Sequence, residues 1–391
     1  MGWEQEPLMD KLAEFDVELY GVHYNQEYYK GVPFKEVLVC DLRDLERILK
    51  YAEGIKPNAV VSDQCDYSHF AQAVITQRFD LKGPLIRQAQ ISANKFLQRQ
   101  LAKSQGINVP AFKLVTSADE VQEFAGQYEY PIILKPVDNR GSFGVNKIER
   151  EEEIENAFYN SLVNSHSRLL LVEKFIDGYE ITVDGYVFEN GPASLSLAKK
   201  GKVDEKRQVS VDIKYPGELA PGLYSEAMRN NEFVIRKLGY TFGMSHAEYI
   251  VNPQGEIYLV EAANRGGGVF TSEIIVPNVS GVDILSRYVM DCLGVPAQSF
   301  NYGDIQQNEV ILKFFSFAPG KIKAIKGIEK LEANQAVLKY RFAVKPGDEI
   351  KIISTDANRH GFVIVKADHN VRGVTQEIIE QIEVEYVNER V

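Results

Sequence analysis

Two acidic residues, Glu248 and Glu261, stand on strand-like segments that a turn at residues 252–255 joins into a predicted hairpin. This turn places Glu248 opposite Leu259, so Glu261 lies on the same face one diagonal step away, at about 7–8 Å between backbones. Two carboxylates at this separation can share Mg²⁺, which takes one or two carboxylates and completes its shell with water and substrate phosphates. Alternatively, both glutamates meet solvent or an arginine at the edge of a sheet.

An arginine and three glycines follow the second glutamate in the stretch NRGGG. Arg265 supplies a planar cation that suits phosphate or carboxylate groups. The glycines let the backbone approach a ligand closely. This composition is consistent with a site for an anionic group beside the metal, and also with a flexible loop that carries a surface arginine.

The stretch YPIILKPVDNRGSFGV joins an apolar strand to a glycine loop through a lysine. Residues 130–134 are apolar and partly β-branched, which is typical of a strand covered on both faces. Lys135 ends this strand, and a second candidate cation, Lys95, stands on the preceding predicted helix. A lone lysine is more often a solvated surface charge. The candidate phosphate-binding residues of the loop are Arg140, Gly141, Ser142 and Gly144.

The stretch VEKFIDGYE has a composition that suits a nucleotide base and its ribose. The backbone of residues 173–176 can hydrogen-bond an adenine edge, and Glu180 can accept hydrogen bonds from ribose hydroxyls. The alternative is a strand and a glycine turn with two exposed glutamates. The members of the predicted base site are Glu173, Lys174, Phe175 and Ile176.

Composition and charge argue against several classes of protein. The chain of 391 residues has 44 basic and 55 acidic side chains and a net charge of −11, so it has no general attraction for nucleic acid or an anionic membrane. Its three cysteines are widely spaced, fit neither a zinc site nor a disulfide framework, and favour a cytoplasmic protein. The sequence has no apolar run of roughly 18 residues and no apolar signal-peptide core at its start.

Alternating strand and helix patterns precede these motifs and predict an α/β fold. In residues 17–90, the segments DVELYGV, EVLVC and PNAVVSD have strand patterns separated by helices, which predicts a parallel sheet. A helix begins almost at Met1, so we expect the first strand of this sheet to be missing. Ser92 is predicted to cap a helix over SANKFLQRQLAKSQ. Residues 111–175 predict a compact α+β lobe, and strands predominate in residues 309–391, with a final amphipathic helix.

The order of these motifs resembles that of the ATP-grasp superfamily, in its carboxylate–amine ligase and carbamoyl-phosphate-synthase-like branch. The resemblance covers most of the chain. It implies a pre-ATP-grasp domain with a parallel sheet over residues 1–90 and an ATP-grasp domain over 91–300. A lid at about 106–175 belongs to the second domain, and a C-terminal β-rich domain follows over 301–391.

The resemblance implies that ATP is the cofactor and assigns its contacts. Lys95 and Lys135 contact the phosphates, and the glycine loop closes over them with its backbone amides. Residues 173–176 hold adenine and Glu180 holds ribose. Lys135 is also expected to be catalytic.

The resemblance further implies that Glu248 and Glu261 bind Mg²⁺, with Mn²⁺ as a substitute. Arg265 stabilises the transferred phosphoryl group or the acyl-phosphate. One departure concerns the metal shell, because the family usually has asparagine two residues after the second glutamate. Ala263 stands there in this sequence, and Asn264 is the expected third ligand after a backbone shift.

The implied reaction couples a small-molecule carboxylate, activated as an acyl-phosphate, to an amine or amino acid. One alternative is a purine-pathway-like enzyme that activates formate or bicarbonate, and another is a non-catalytic ATP-binding regulator. Lys199, Lys200 and Arg207 are candidates for meeting an anionic substrate, or they form a solvated basic turn. A homodimer is expected, since dimers are common in this superfamily.

Overall fold

The protein is described from a computed structural model, over residues 2–27, 31–139, 141, 143–202, 210–353 and 358–387. It has a mixed α/β fold with a short parallel sheet near the N-terminus and a large antiparallel sheet after it. Within the described residues, no helix has both the length and the apolar character needed to cross a membrane.

The N-terminal elements build a two-stranded parallel sheet packed against helices. They are α1 (Glu6–Leu12), β1 (Leu19–His23), β2 (Phe34–Val39), α2 (Leu45–Ile55), α3 (Asp66–Arg78), α4 (Ile86–Ala93) and α5 (Lys95–Ser104). Strands β1 and β2 run parallel, as predicted. Their apolar side chains pack with Ile48 of α2 and Ile75 of α3 in one cluster.

The predicted strand over residues 57–63 does not form, and that prediction was wrong. The Ser62 amide donates to the Tyr288 hydroxyl (3.0 Å), which in turn donates to the Ser62 carbonyl (2.6 Å). The Gln72 side chain donates to the Val60 carbonyl (2.7 Å). Side chains therefore bond backbone groups that a neighbouring strand would otherwise use.

The predicted helix that Ser92 was expected to cap is two helices, and its cap is Asn94. The Asn94 side chain accepts hydrogen bonds from the amides of Phe96 (3.0 Å) and Leu97 (3.1 Å) and so begins α5. Ser92 lies inside α4. The prediction of its role as a cap was wrong, because the chain turns at residue 94 before the second helix starts.

The predicted α+β lobe is confirmed element by element. Its members are β3 (Phe112–Val115), α6 (Ala118–Tyr128), β4 (Ile132–Pro136), β5 (Asn146–Ile148), α7 (Ile154–Val163) and β6 (Leu170–Lys174). The strands form an antiparallel sheet in the order β3-β6-β4-β5. Its apolar side chains pack against the two helices in a core of their own.

The following segment supplies most of the large sheet and the helices on it. Its elements are β7 (Tyr179–Phe188), β8 (Gly191–Lys202), β9 (Ser210–Tyr215), α8 (Leu223–Leu238), β10 (Gly243–Val251), β11 (Ile257–Ala263), α9 (Val276–Ser280) and α10 (Ile284–Leu293). Val183 of β7 and Ala247 of β10 pack with α5 and α8 in one core. Because strand side chains alternate between faces, His246 and Glu248 lie on the opposite face.

The C-terminal elements are β12 (Glu309–Phe314), β13 (Gly320–Lys326), α11 (Ile328–Ala333), β14 (Val337–Phe342), β15 (Glu349–Ile350), β16 (Gly361–Ala367), α12 (Val371–Ile379) and β17 (Glu383–Tyr386). Strands β12, β16 and β14 continue the large sheet, whose order is β11-β10-β7-β8-β9-β12-β16-β14, and β15, β13 and β17 form a separate sheet. The predicted amphipathic helix is α12, but β17 follows it. The division of the chain at residues 90 and 300 stays a prediction.

Candidate active site

The two glutamates of the hairpin are direct cross-strand partners. Glu248 pairs with Glu261, whereas Tyr249 pairs with Leu259, so Val260 is an extra residue in β11. The predicted register, which placed Glu248 opposite Leu259, was therefore wrong. The shift brings the carboxylates closer than the predicted diagonal, because directly opposed residues have Cβ atoms about 4.5–5.5 Å apart.

Each carboxylate of this pair faces a lysine. Lys95 Nζ lies 3.1 Å from Glu261 Oε2, and Lys200 Nζ lies 2.5 Å from Glu248 Oε1. Lys200 Nζ also lies 3.6 Å from Glu180 Oε2. The ammonium groups show that positive charge is accommodated beside both carboxylates. Two opposed carboxylates are a donor set that fits a hard divalent cation.

A half-buried histidine adjoins Glu248. His246 Nδ1 lies 2.7 Å from Asp184 Oδ1, and His246 Nε2 lies 3.6 Å from Glu248 Oε1. Burial alone lowers the pKa of His246, but Asp184 and Glu248 raise it to about 9. Burial likewise opposes ionisation of Glu248, yet Lys200 and His246 hold the pKa of Glu248 well below its ordinary value. Glu248 is thus kept as a carboxylate, the form that binds a cation.

Arg265 is fixed by an acid from the N-terminal part of the chain. Its Nε donates to Asp66 Oδ1 (2.7 Å) and its Nη2 to Asp66 Oδ2 (3.2 Å). Burial would lower the pKa of Arg265, but Asp66 raises it. Asp66 is the first residue of α3, so this ion pair ties the N-terminal helices to the loop that follows β11. Two parallel bonds fix the plane of the guanidinium.

The side-chain nitrogen of Asn264 is held by two backbone carbonyls. Its side-chain amide donates to the carbonyls of Phe242 (2.8 Å) and Met244 (3.1 Å), and its backbone amide donates to Ser92 Oγ (2.8 Å). Glu261 and Ala263 share a face, since alternate strand residues point the same way. Its side-chain oxygen is buried and accepts no hydrogen bond from the described residues, so the role of Asn264 as a third metal ligand stays a prediction.

Lys135 is held in a buried ionic cluster. Its ammonium contacts the Glu173 carboxylate, whose other oxygen accepts from Arg99 Nε at 2.5 Å. Burial lowers the pKa of Lys135 despite this partner. Burial also opposes ionisation of Glu173, but Arg99 and Lys135 lower its pKa. Arg99 Nη2 donates to the carbonyl of Val260, the extra residue of β11 (2.5 Å), so the cluster connects the lobe sheet to the glutamate hairpin.

The glycine loop is anchored at both ends. The carbonyl of Asn139 accepts from Lys95 Nζ (2.7 Å), which brings the start of the loop beside Glu261. The carbonyl of Gly144 accepts from Ser161 Oγ (2.8 Å). Gly144 has φ +73°, and a Cβ there would come within 2.8 Å of a neighbouring side chain. Gly141 also has positive φ. The remaining predicted loop ligands, Arg140 and Ser142, lie outside the described residues.

Two backbone amides of the predicted base site already donate hydrogen bonds within the lobe. The amide of Lys174 donates to the Ala111 carbonyl (2.9 Å) and that of Phe175 to the Pro131 carbonyl (3.2 Å). The amides of Lys174 and Phe175 are therefore not available to an adenine edge. The Phe175 ring lies 4.5 Å from Lys147 Nζ.

Of the lysines predicted to meet an anionic substrate, Lys199 packs against the Tyr179 ring, with 4.1 Å between Nζ and the ring centroid. Lys200 belongs to the glutamate site described above. Arg207 lies outside the described residues.

Three charged partners of the site residues were not identified from the sequence. Asp66, Arg99 and Asp184 hold Arg265, Glu173 and His246 respectively. Only Arg99 leaves a local signal, because it is one helical turn after Lys95 and so shares its face. The other two partners come from elements far away in sequence.

Two protein-family models match parts of the chain. Residues 128–273 match the ATP-grasp domain family, and residues 313–387 match L-amino acid ligase C-terminal domain 2. The chain is 27% identical over 191 residues to D-alanine–D-alanine ligase B of Chromobacterium violaceum, which covers 48% of this chain and 61% of that protein. It also matches an uncharacterized protein of Sinorhizobium fredii at 24% identity over 298 residues, 75% of this chain and 60% of that protein. The chain thus spans about three-fifths of the length of these two relatives.

Solved structures share the whole fold. L-amino acid ligase from Bacillus licheniformis superposes with a TM-score of 0.84 at 17% identity, over 97% of this chain and 95% of that one. The biotin carboxylase domain of Hydrogenobacter thermophilus 2-oxoglutarate carboxylase, a dimer in complex with MgADP and bicarbonate, superposes at 0.77 with 16% identity, over 98% and 89%. These likenesses show that the chain has the ATP-grasp fold.

Proposed function

We propose that this chain, which belongs to the ATP-grasp superfamily, is an ADP-forming ligase that joins a carboxylate to an amine. The observation that best supports this function is the pair of opposed carboxylates, Glu248 and Glu261. Lys95, Lys200 and Arg265 lie beside this pair. Such a cluster can neutralise the charge of a transferring phosphoryl group. Similarity of residues 313–387 to an L-amino acid ligase domain supports amino acids as substrates. A homodimer stays a prediction.

The proposed reaction has two steps. An oxygen of the substrate carboxylate attacks the γ-phosphorus of ATP, the bond from that phosphorus to the bridging oxygen breaks, and ADP leaves. The amine nitrogen then attacks the acyl carbon, the bond from that carbon to the phosphate oxygen breaks, and the nitrogen loses a proton. Holding the reactants in position supplies much of the acceleration in reactions of this kind.

The residues of the chain have distinct proposed roles. Glu248 and Glu261 would hold Mg²⁺ or Mn²⁺, which when bound supplies positive charge to the ATP phosphates. Lys95 and Lys135 contact the phosphates, and Arg265 steadies the transferred group, because Asp66 fixes its guanidinium plane. Lys95 then exchanges its bond to Glu261 for phosphate oxygens.

The lobe of residues 106–175 is proposed to cover the nucleotide as a lid. Its strand β6 leads into residues 173–176, which we propose to hold the adenine, while Glu180 holds the ribose. Lys95 already bonds the Asn139 carbonyl at the start of the glycine loop, which connects this loop to the glutamate site. A closed lid keeps water away from the acyl-phosphate.

The test is magnesium-dependent ADP release from ATP, measured across amino acids, small carboxylates including formate and bicarbonate, and amines. We expect one amino-acid-containing pair to stimulate release in the wild type and in Glu256→Gln, an exposed change on the same hairpin. Glu261→Gln should abolish the stimulation, because it removes one of the two cation-binding charges.

Two other outcomes would contradict the proposal. Stimulation by bicarbonate or formate alone indicates the purine-pathway-like alternative. ATP binding without ADP release under any pair indicates a regulatory protein. If Glu261→Gln and the wild type release ADP at the same rate, the glutamate pair has no role in the mechanism.

A further inference from the structure

Two carboxyl groups outside the glutamate hairpin are buried without a hydrogen-bond donor. Asp63 is 3% exposed and Glu273 is 7% exposed. None of their four oxygens accepts a hydrogen bond of good geometry within the described part of the chain, although the two carboxyls interact with each other, and the side chains of Gln5 and Gln64 lie beside them. Asp63 stands three residues before Asp66, and Glu273 stands on a single π-helical turn, Thr271–Ile275, after the glycines that follow Arg265.

Burial of these acids is unfavourable in the ligand-free protein. A buried carboxylate needs a partner, or it becomes protonated. Burial raises the pKa of Asp63, and the nearby charge of Glu4 raises it further. Burial and the charge of Asp63 likewise raise the pKa of Glu273. A bound cation would satisfy both groups.

A cavity gives a ligand access to Asp63, and Glu273 lies beside Asp63. The volume of the cavity is about 1110 Å³, and Asp63, Gln64 and Gln5 are among the residues that line it. This is far larger than the roughly 30 Å³ that one water molecule occupies. Gln64 Oε1 is a third buried acceptor with no donor in the described residues. The site is therefore polar at one wall and large enough for a small organic molecule.

The cavity adjoins the proposed reaction centre. Asp66, three residues from Asp63, binds Arg265, and the charge of Arg265 acts on Asp63. Glu4 Oε1 accepts from the amide of Val269 at 3.3 Å, at the end of the glycine segment that follows Arg265. A small substrate in the cavity thus reaches the loop that carries Arg265.

The acceptor set suits an ammonium group better than a metal ion. A primary ammonium has three donors and no acceptor, which matches three acceptors on three side chains. We propose that Asp63, Glu273 and Gln64 bind the primary ammonium group of an amino-acid substrate. This inference rests on the proposed ligase function and narrows its substrate class.

The test measures binding rather than turnover. The full chain is titrated with L-alanine, L-leucine, L-phenylalanine and L-glutamate, each compared with its 2-hydroxy-acid counterpart, and thermal melting gives the apparent Kd. The titrations are done with and without magnesium and a non-hydrolysable ATP analogue. We expect at least one amino acid to bind 10-fold or more tightly than its hydroxy acid, because hydrogen bonds to charged groups are among the strongest.

Neutral variants of nearly equal shape locate the subsite. Asp63→Asn and Glu273→Gln should each weaken amino-acid binding about 10-fold or more, while the control Asp304→Asn, exposed and distant in sequence, should not. All variants should keep the melting shift caused by the ATP analogue.

Equal binding of amino and hydroxy acids, no binding of any amino acid, or unchanged binding in both variants would overturn the inference. Because no ADP is measured, loss of the ligase function would leave a positive binding result intact. Conversely, if the protein is an active ligase and both variants bind amino acids as the wild type does, only the proposed ammonium subsite is refuted.

Discussion

Replacing Glu173 with glutamine should destabilise the lid strongly. Glu173 is 3% exposed and faces two cations, Lys135 at 6% and Arg99 at 0% exposure. The variant leaves both cations buried without a carboxylate. Removing one partner of a buried ion pair costs about 3–5 kcal/mol, which is a large share of the about 5–15 kcal/mol that stabilises a typical protein.

The assay is hydrogen exchange followed by mass spectrometry on peptides that cover β4 and β6. A local measurement is preferable, because a chain with several cores need not unfold in one step. The matched control is Glu123→Gln in the same lobe, which removes the exposed ion pair to Lys113 (3.1 Å). Such surface pairs contribute about 0–1 kcal/mol.

The pH dependence of this difference has a defined sign. Arg99 and Lys135 lower the pKa of Glu173 in the fold, although burial opposes them. The stabilisation by the carboxylate is therefore complete above its ordinary pKa of 4.5 and is lost as the pH falls through the lowered value. Wild type and variant should converge in strong acid. The reasoning is refuted if Glu173→Gln changes exchange in β4 and β6 no more than Glu123→Gln at neutral pH.

Three further changes test other parts of the site. Asn94→Ala removes the cap of α5 and should lower the free energy of unfolding by about 1 kcal/mol; an unchanged urea midpoint would contradict this. Gly144→Ala introduces a Cβ 2.8 Å from Asn164 Cβ at a residue with φ +73° and should therefore raise the KM for ATP. An unaltered KM would show that this glycine is not needed for nucleotide binding. Arg265→Lys loses the two parallel bonds to Asp66 and should reduce kcat/KM about 100-fold, and activity within threefold of wild type would exclude a role in the transition state.

The elements of the lobe were predictable because its local sequence patterns agree with its tertiary packing. Residues 130–134 are apolar and partly β-branched, and β4 is buried in the centre of the lobe sheet. The strand predicted at residues 57–63 had the same kind of pattern but did not form. Strand patterns identify segments that can pair, while pairing itself depends on a neighbour that local sequence does not specify.

The charged residues of the candidate site could be predicted from the sequence, but the residues that bond to them could not. Glu248 and Glu261 were placed on one face correctly, but the extra residue Val260 changed their register, and no turn pattern signals such a bulge. Asp66, 199 residues from Arg265, could not be found from spacing. Partners of this kind are fixed by the packing of whole elements.

The most direct test of carboxylate activation follows the oxygen atoms. With the substrate pair that stimulates ADP release, the carboxylate is labelled with ¹⁸O and the released phosphate is analysed by mass spectrometry. Attack of that carboxylate on ATP predicts one ¹⁸O atom in each phosphate formed, because the bridging oxygen leaves with the phosphate. Phosphate without ¹⁸O, formed while the labelled carboxylate is converted to product, would contradict the acyl-phosphate and with it the proposed ligase chemistry.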